Sequence, residues 1–109
     1  MKEIIITNDA EESFNEILKY IVIKSGISLA GKIYDRVIDK INLLGAVPFR
    51  GKVSEELKSV GITHIYELVE TPWKIYYRLT PRQVIILLVL DSRRNLEEVL
   101  IDKIINKED

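Results

Sequence analysis

Residues able to do chemistry concentrate where extended runs meet turns. From Trp73 to Leu79 the chain alternates: Trp73, Ile75, Tyr77 and Leu79 point one way, and Lys74, Tyr76 and Arg78 the other. Two cations flanking a tyrosine on one strand face can hold an oxyanion and stack on a planar group. Arg93 and Arg94 follow the apolar run Val84–Leu90, and Arg50 and Lys52 lie in a loop that could reach the same face. Arg50, Lys52, Lys74, Tyr76, Arg78, Arg93 and Arg94 are therefore the expected contact surface for a macromolecular target or a nucleic acid. The plainer reading of each cation is a solvated surface charge, and it weighs most on Lys74. His64, the single histidine, stands beside a Gly-Ile-Thr turn and reads as a turn or surface residue. One histidine and no cysteine make no metal-ligand cluster, and neither a strained serine elbow nor a glycine-rich phosphate loop is present. No cofactor and no small-molecule substrate are expected.

Those runs define the core. Residues 65–95 hold three strand-like runs separated by Thr71-Pro72 and Thr80-Pro81-Arg82, the pattern of strands joined by tight hairpins. The third run, Val84–Leu90, is apolar at every position and suits a central strand covered on both faces.

A chain of 109 residues, 47% hydrophobic and 30% charged, is expected to form one domain (1–109) around a single core. The formal net charge of −1 lacks the basic excess that phosphate neutralisation demands, so any nucleic-acid contact must come from a local patch. No apolar run approaches the roughly 18 residues needed to span a bilayer. The N-terminus enters a strand directly without a cleavage site, and the absence of cysteine leads us to expect a cytoplasmic home.

In chain order, Glu3–Thr7 is a short strand, and Asp9 with Glu12 makes a capping-box pattern opening a helix. Ala10, Phe14, Ile17, Leu18 and Ile21 form its apolar stripe. Lys24-Ser25-Gly26 stops it, and Ser28 is expected to cap a second helix with Ala30, Ile33, Tyr34, Val37, Ile41 and Leu44 inward. The two form an antiparallel hairpin. Between Gly45 and Thr63 one helical turn is expected at Ser54–Val60, with Leu57 and Val60 tucked in. After the three strands, Asn95 with Glu98 caps a last helix carrying Leu96, Val99, Leu100 and Ile104, and Asn106–Asp109 reads as a polar tail. The expected fold is α+β, in the order β-αα-βββ-α. Its four strands lie 1-4-3-2 in an antiparallel sheet, with the helical hairpin on one face.

The chain resembles the RelE/ParE toxin superfamily, closer to its ParE-like members. The resemblance rests on the element order, the Pro48-Phe49-Arg50-Gly51-Lys52 loop and the Tyr66-Glu67-Leu68 strand. The hairpin Pro72-Trp73-Lys74-Ile75-Tyr76-Tyr77-Arg78 and the ending Val89-Leu90-Asp91-Ser92-Arg93-Arg94-Asn95-Leu96 complete it. It implies the toxin of a type II toxin–antitoxin, or plasmid-stabilisation, module: a growth inhibitor neutralised by a cognate antitoxin. RelE-like members cleave mRNA on the ribosome, whereas ParE-like members inhibit DNA gyrase and cleave nothing.

Cleaving RNA through its 2′-hydroxyl needs a base, cations for the phosphorane charge and an acid for the leaving oxygen. As an mRNA endoribonuclease the chain would use Arg78, Arg93, Arg94 and Lys74. Glu67 and Val69 stand where RelE-like nucleases place lysines, and carboxylate and methyl groups there repel or ignore a phosphate. The last helix, Leu96-Glu97-Glu98-Val99-Leu100-Ile101-Asp102, lacks a Tyr or His acid. The expectation is a non-hydrolytic toxin that binds a protein target, DNA gyrase by resemblance. A ribosome-dependent mRNA interferase is the alternative, and a non-toxic relic that still binds antitoxin is a further one. The hairpin's helices and a free sheet edge are the surfaces expected to take the antitoxin.

Overall fold

The computed structural model describes residues 1–107. The chain runs β1 (Glu3–Ile6), α1 (Asn8–Ser25), α2 (Ile27–Leu43), β2 (Lys52–Val53), α3 (Glu55–Lys58), β3 (Tyr66–Glu70), β4 (Trp73–Leu79), β5 (Gln83–Asp91) and α4 (Leu96–Lys103), closing in a 3-10 turn over Ile105–Lys107. The α+β class and the helical hairpin packed on a sheet are as expected. The sheet differs in detail. Its order is β1-β5-β4-β3-β2, because the long loop contributes a two-residue edge strand beside β3. It is also mixed, since β1 runs parallel to β5 while the other pairs are antiparallel.

Both faces of β5 are covered, as its unbroken apolar run requires. On one face, Ala10, Phe14 and Ile21 of α1 and Ile33, Val37 and Ile41 of α2 bury Trp73, Ile75, Tyr77, Val84, Ile86 and Val89. On the other, Leu57 beside Ile65, and Leu96, Leu100 and Ile104 around α4, bury Tyr76, Leu88 and Leu90. A strand that alternates strictly could not place Ile86 and Val89 on the same side. A bulge resolves this: Tyr76 pairs with Leu88 and Tyr77 with Ile86, so Leu87 is an extra residue and the alternation changes phase there.

Several local expectations are corrected. The N-cap of α1 is Thr7, not Asp9: its Oγ accepts from the Ala10 N–H at 3.1 Å and donates to the Ile86 carbonyl at 2.8 Å. Strand passes to helix without a loop, so the last extended residue must do the capping. Asp9 falls in the first turn, where the helix dipole favours a carboxylate, and pairs with Lys107 at 2.7 Å. Lys107 and Asn106 are thus not free tail, while Glu108 and Asp109, expected to continue it, lie outside the described residues. Ser28 does not cap α2, which begins at Ile27 directly after Gly26. Tyr34 is half-exposed, its ring stacked on Phe14 at 5.8 Å, and Val60 faces outward because α3 ends at Lys58. Ser54 caps α3 and Leu57 is fully buried, as that turn requires.

Gly26 alone joins the two long helices, at φ 95° and ψ 165°, a conformation open essentially to glycine. An added Cβ at Gly26 would meet nothing within 4 Å, and the same holds for Gly31 inside α2. The pair separates backbone strain from crowding. Gly26→Ala is expected to cost about 1–3 kcal/mol from the backbone alone. Gly31→Ala is expected to stabilise by about 0.5–1 kcal/mol. Urea unfolding of both variants checks the opposite signs.

Candidate functional site

The expected contact surface begins on β4, whose alternation does separate Lys74, Tyr76 and Arg78 from Trp73, Ile75 and Tyr77. Its second face is not open, however. Tyr76 is fully buried against α4 and Leu57, and Lys74 retains 15% of its side-chain exposure. The Lys74 ammonium lies 3.0 Å from Glu67 Oε2 and 3.3 Å from Glu56 Oε1. Glu67, on β3, is diagonal to Lys74 across the strand pair, close enough for a long side chain to reach. Its other oxygen accepts from the Glu55 N–H at the start of α3, at 2.9 Å. The Tyr76 hydroxyl donates to Glu56 Oε1 at 2.8 Å.

This is a closed network, and it corrects two expectations. Lys74 is not a cation offered to a phosphate, because two carboxylates already hold it. Tyr76 is not an exposed aromatic, because α3 and α4 roof that part of the sheet. Burial opposes the charge of Lys74, but its pairs with Glu67 and Glu56 prevail and hold the ammonium above the usual lysine range. Burial, with the bond to Glu56, raises the Tyr76 hydroxyl far above the ordinary phenol range, so it remains a donor. Glu67, expected to repel a phosphate, instead serves as counter-ion to the lysine.

The other cations disperse around the sheet. Tyr77, buried beneath the helical hairpin, donates its hydroxyl to the Pro48 carbonyl at 2.9 Å and accepts from the Gly51 N–H at 3.1 Å. Those bonds fasten the 48–51 loop to β4. A Cβ on Gly51 would come 2.4 Å from the Glu67 carbonyl oxygen and 2.6 Å from the Tyr77 hydroxyl, so only glycine fits between loop and sheet. The fastening turns Phe49, 69% exposed, and Arg50 outward, with Phe49 edge-on to Tyr66 at 6.0 Å. Lys52 pairs with Glu55 at 2.6 Å. Arg93 closes back on Asp91, whose carboxyl it holds below the usual aspartate range. Arg94 is exposed at the entry to α4, and Asn95 caps that helix as expected, accepting from the Glu98 N–H at 3.4 Å. Arg78 is half-buried and lines a cleft with Lys103 and Lys107. Neither lysine was singled out from sequence. Their spacing of four, at the end of the last helix, was the available signal.

The sheet face therefore carries a paired ion cluster, in which Glu67 Oε2 is compensated by the Lys74 charge rather than by a hydrogen bond. Lys74→Met leaves two partly desolvated carboxylates without their cation and is expected to destabilise the fold by about 3 kcal/mol. Adding Glu67→Gln should recover part of that loss. Because the folded ammonium titrates above the unfolded one, its contribution is complete below about pH 10 and is lost as pH rises through the higher folded value. Unfolding at a series of pH values should show a constant wild-type-to-Lys74→Met gap from about pH 6 to 9, narrowing only above the unfolded lysine value.

Residues 4–96 match the family model described as the ParE toxin of a type II toxin–antitoxin system, parDE. Toxin ParE3 of Caulobacter vibrioides is 26% identical over 96 residues, covering 88% of this chain and 92% of that protein. The solved structure described as the chromosomal ParDE TA system from P. aeruginosa superposes with a TM-score of 0.69 at 20% identity. The match covers 84% of this chain and 96% of that one, and it shows the shared fold. With 93 consecutive positions matched by the family model, the chain belongs to the ParE toxin family of type II toxin–antitoxin systems.

Proposed function

We propose that the chain, acting as one toxin domain, arrests growth by binding DNA gyrase without cleaving nucleic acid, and that a cognate antitoxin neutralises it. The gyrase target follows from the resemblance to ParE-like members. The observation that carries the non-hydrolytic part is the ion cluster. Lys74 is held by Glu67 and Glu56, and Tyr76 donates to Glu56 beneath α4. A phosphate approaching that face would have to displace buried carboxylates from their cation, at a cost larger than one new charge pair returns. Arg50, Arg93 and Arg94, all exposed, and Phe49 next to Arg50 in the 48–51 loop are the side chains we assign to contact with the target. Lys52, two residues on from Arg50, is exposed but paired with Glu55, and Arg78 is half-buried.

The antitoxin is assigned to the opposite side. A cleft of 280 Å³ opens between α1, α2 and the edge strand β1, lined by Ile6, Phe14, Tyr34 and Ile38. Ile6 and Tyr34 are each 46% exposed there. An apolar groove beside an edge strand suits a partner helix or an added strand.

Purified protein is expected to inhibit supercoiling by gyrase and to leave mRNA intact on translating ribosomes. Arg94→Ala should weaken the inhibition by about tenfold, the loss of one charge-assisted contact. Codon-specific mRNA cuts that disappear in Arg94→Ala would instead establish the endoribonuclease reading, and unaffected growth on expression without a partner would establish the relic.

A further inference from the structure

The second cleft of interest lies at the far end of the α4 side. It has a volume of 200 Å³ and draws cations from three elements: Arg78 of β4, Lys103 of α4 and Lys107 of the closing turn. Thr7, Leu87 and Ile104 complete its wall. Asp9 is the carboxylate among the lining residues, and Lys107 already holds it at 2.7 Å. Arg78 is half-buried and makes no hydrogen bond or ion pair among the described residues, whereas Arg36, Lys40, Lys52, Lys74 and Arg93 each have a carboxylate partner. A guanidinium partly withdrawn from water without a counter-ion carries an uncompensated cost that an incoming anion relieves. Its planar fork favours a bidentate oxyanion.

Leu87 reaches this wall by ordinary alternation, two residues along β5 from Ile85, the register partner of Arg78. An aliphatic surface thus lies in the same wall as the guanidinium. The rim discriminates further. Glu12 and Glu16 on α1 and Glu97, Glu98 and Asp102 on α4 are exposed and line the two clefts that share Lys103 with this one. A nucleic-acid strand, carrying a charge about every 3.4 Å, would run its neighbouring phosphates into those carboxylates. One isolated oxyanion meets no such repulsion.

We propose that this cleft is a carboxylate-recognition site, taking a single Asp or Glu side chain with an adjacent aliphatic residue from a partner polypeptide. Arg78 and Lys103 hold the carboxylate, and Leu87 and Ile104 receive the aliphatic group. The assignment is independent of whether gyrase is the target.

The test is an NMR titration of the ¹⁵N-labelled protein with the blocked peptide acetyl-Leu-Glu-Leu-amide, its Gln counterpart, inorganic phosphate and a short oligothymidylate. The Glu peptide should shift the amides of Thr7, Leu87 and Ile104. The Gln peptide should bind about tenfold more weakly, the loss of one charge-assisted bidentate contact. Arg78→Ala should abolish the shifts. Lys103→Gln, on an exposed position that leaves the fold intact, should weaken them severalfold. Tighter binding of the oligothymidylate, binding of phosphate without the Glu peptide, shifts elsewhere on the surface, or a response unchanged in Lys103→Gln would overturn the assignment.

Discussion

Strand β5 is packed from both sides, and that constraint governs the rest of the molecule. A strand buried on two faces must be apolar throughout, and its neighbours must divide their side chains between two separate cores. The helical hairpin claims one set and α4 with α3 the other. The bulge at Leu87 lets nine residues of strand serve both layers, because it shifts the alternation by one position where the parallel pairing with β1 ends at Ile86. Beyond that point α1 replaces the missing neighbour, and Ser13 Oγ accepts the Val89 N–H at 3.0 Å. The edge is closed by a helix side chain rather than by another strand.

The double covering also decides what the basic residues can do. A face roofed by α4 cannot leave a lysine free, since a charge withdrawn from water must be compensated. Glu67 and Glu56 supply the compensation, one from the neighbouring strand and one from the short helix that the long loop builds. The same geometry turns Tyr76 from an exposed ring into a buried donor. The chemistry left at the surface is therefore peripheral: arginines at the loop and at the strand exit, and one half-buried guanidinium at the far end of β4.

The 48–52 loop shows how a core aromatic reaches into function. Tyr77 is buried in the hairpin core, yet its hydroxyl makes two bonds that fix the loop carrying Phe49 and Arg50. Tyr66 stacks on Tyr77 at 5.6 Å and meets Phe49 edge-on, so three aromatic rings pass from interior to surface. Gly51 permits the close approach that the arrangement requires.

What the amino-acid order determined by itself was whatever depends on local periodicity and composition. That covers the element types, the α+β class, the alternation on β4, the inwardness of Trp73, Ile75 and Tyr77, the Asn95 cap, and the superfamily signature around Pro72–Arg78. Those signals are carried within a few residues, by strand and helix periods and by turn chemistry. Tertiary structure alone decided the fate of Lys74 and Tyr76, because neither the roof of α4 nor the carboxylate of Glu56, eighteen positions away from Lys74, is encoded in the alternation of β4. It also decided the α1 cap, since Thr7 is held at the helix start by a bond to Ile86, a residue seventy-nine positions distant. The bulge at Leu87 belongs there too: an unbroken apolar run looks the same with or without a change of phase, and only the two cores on either side show where it falls.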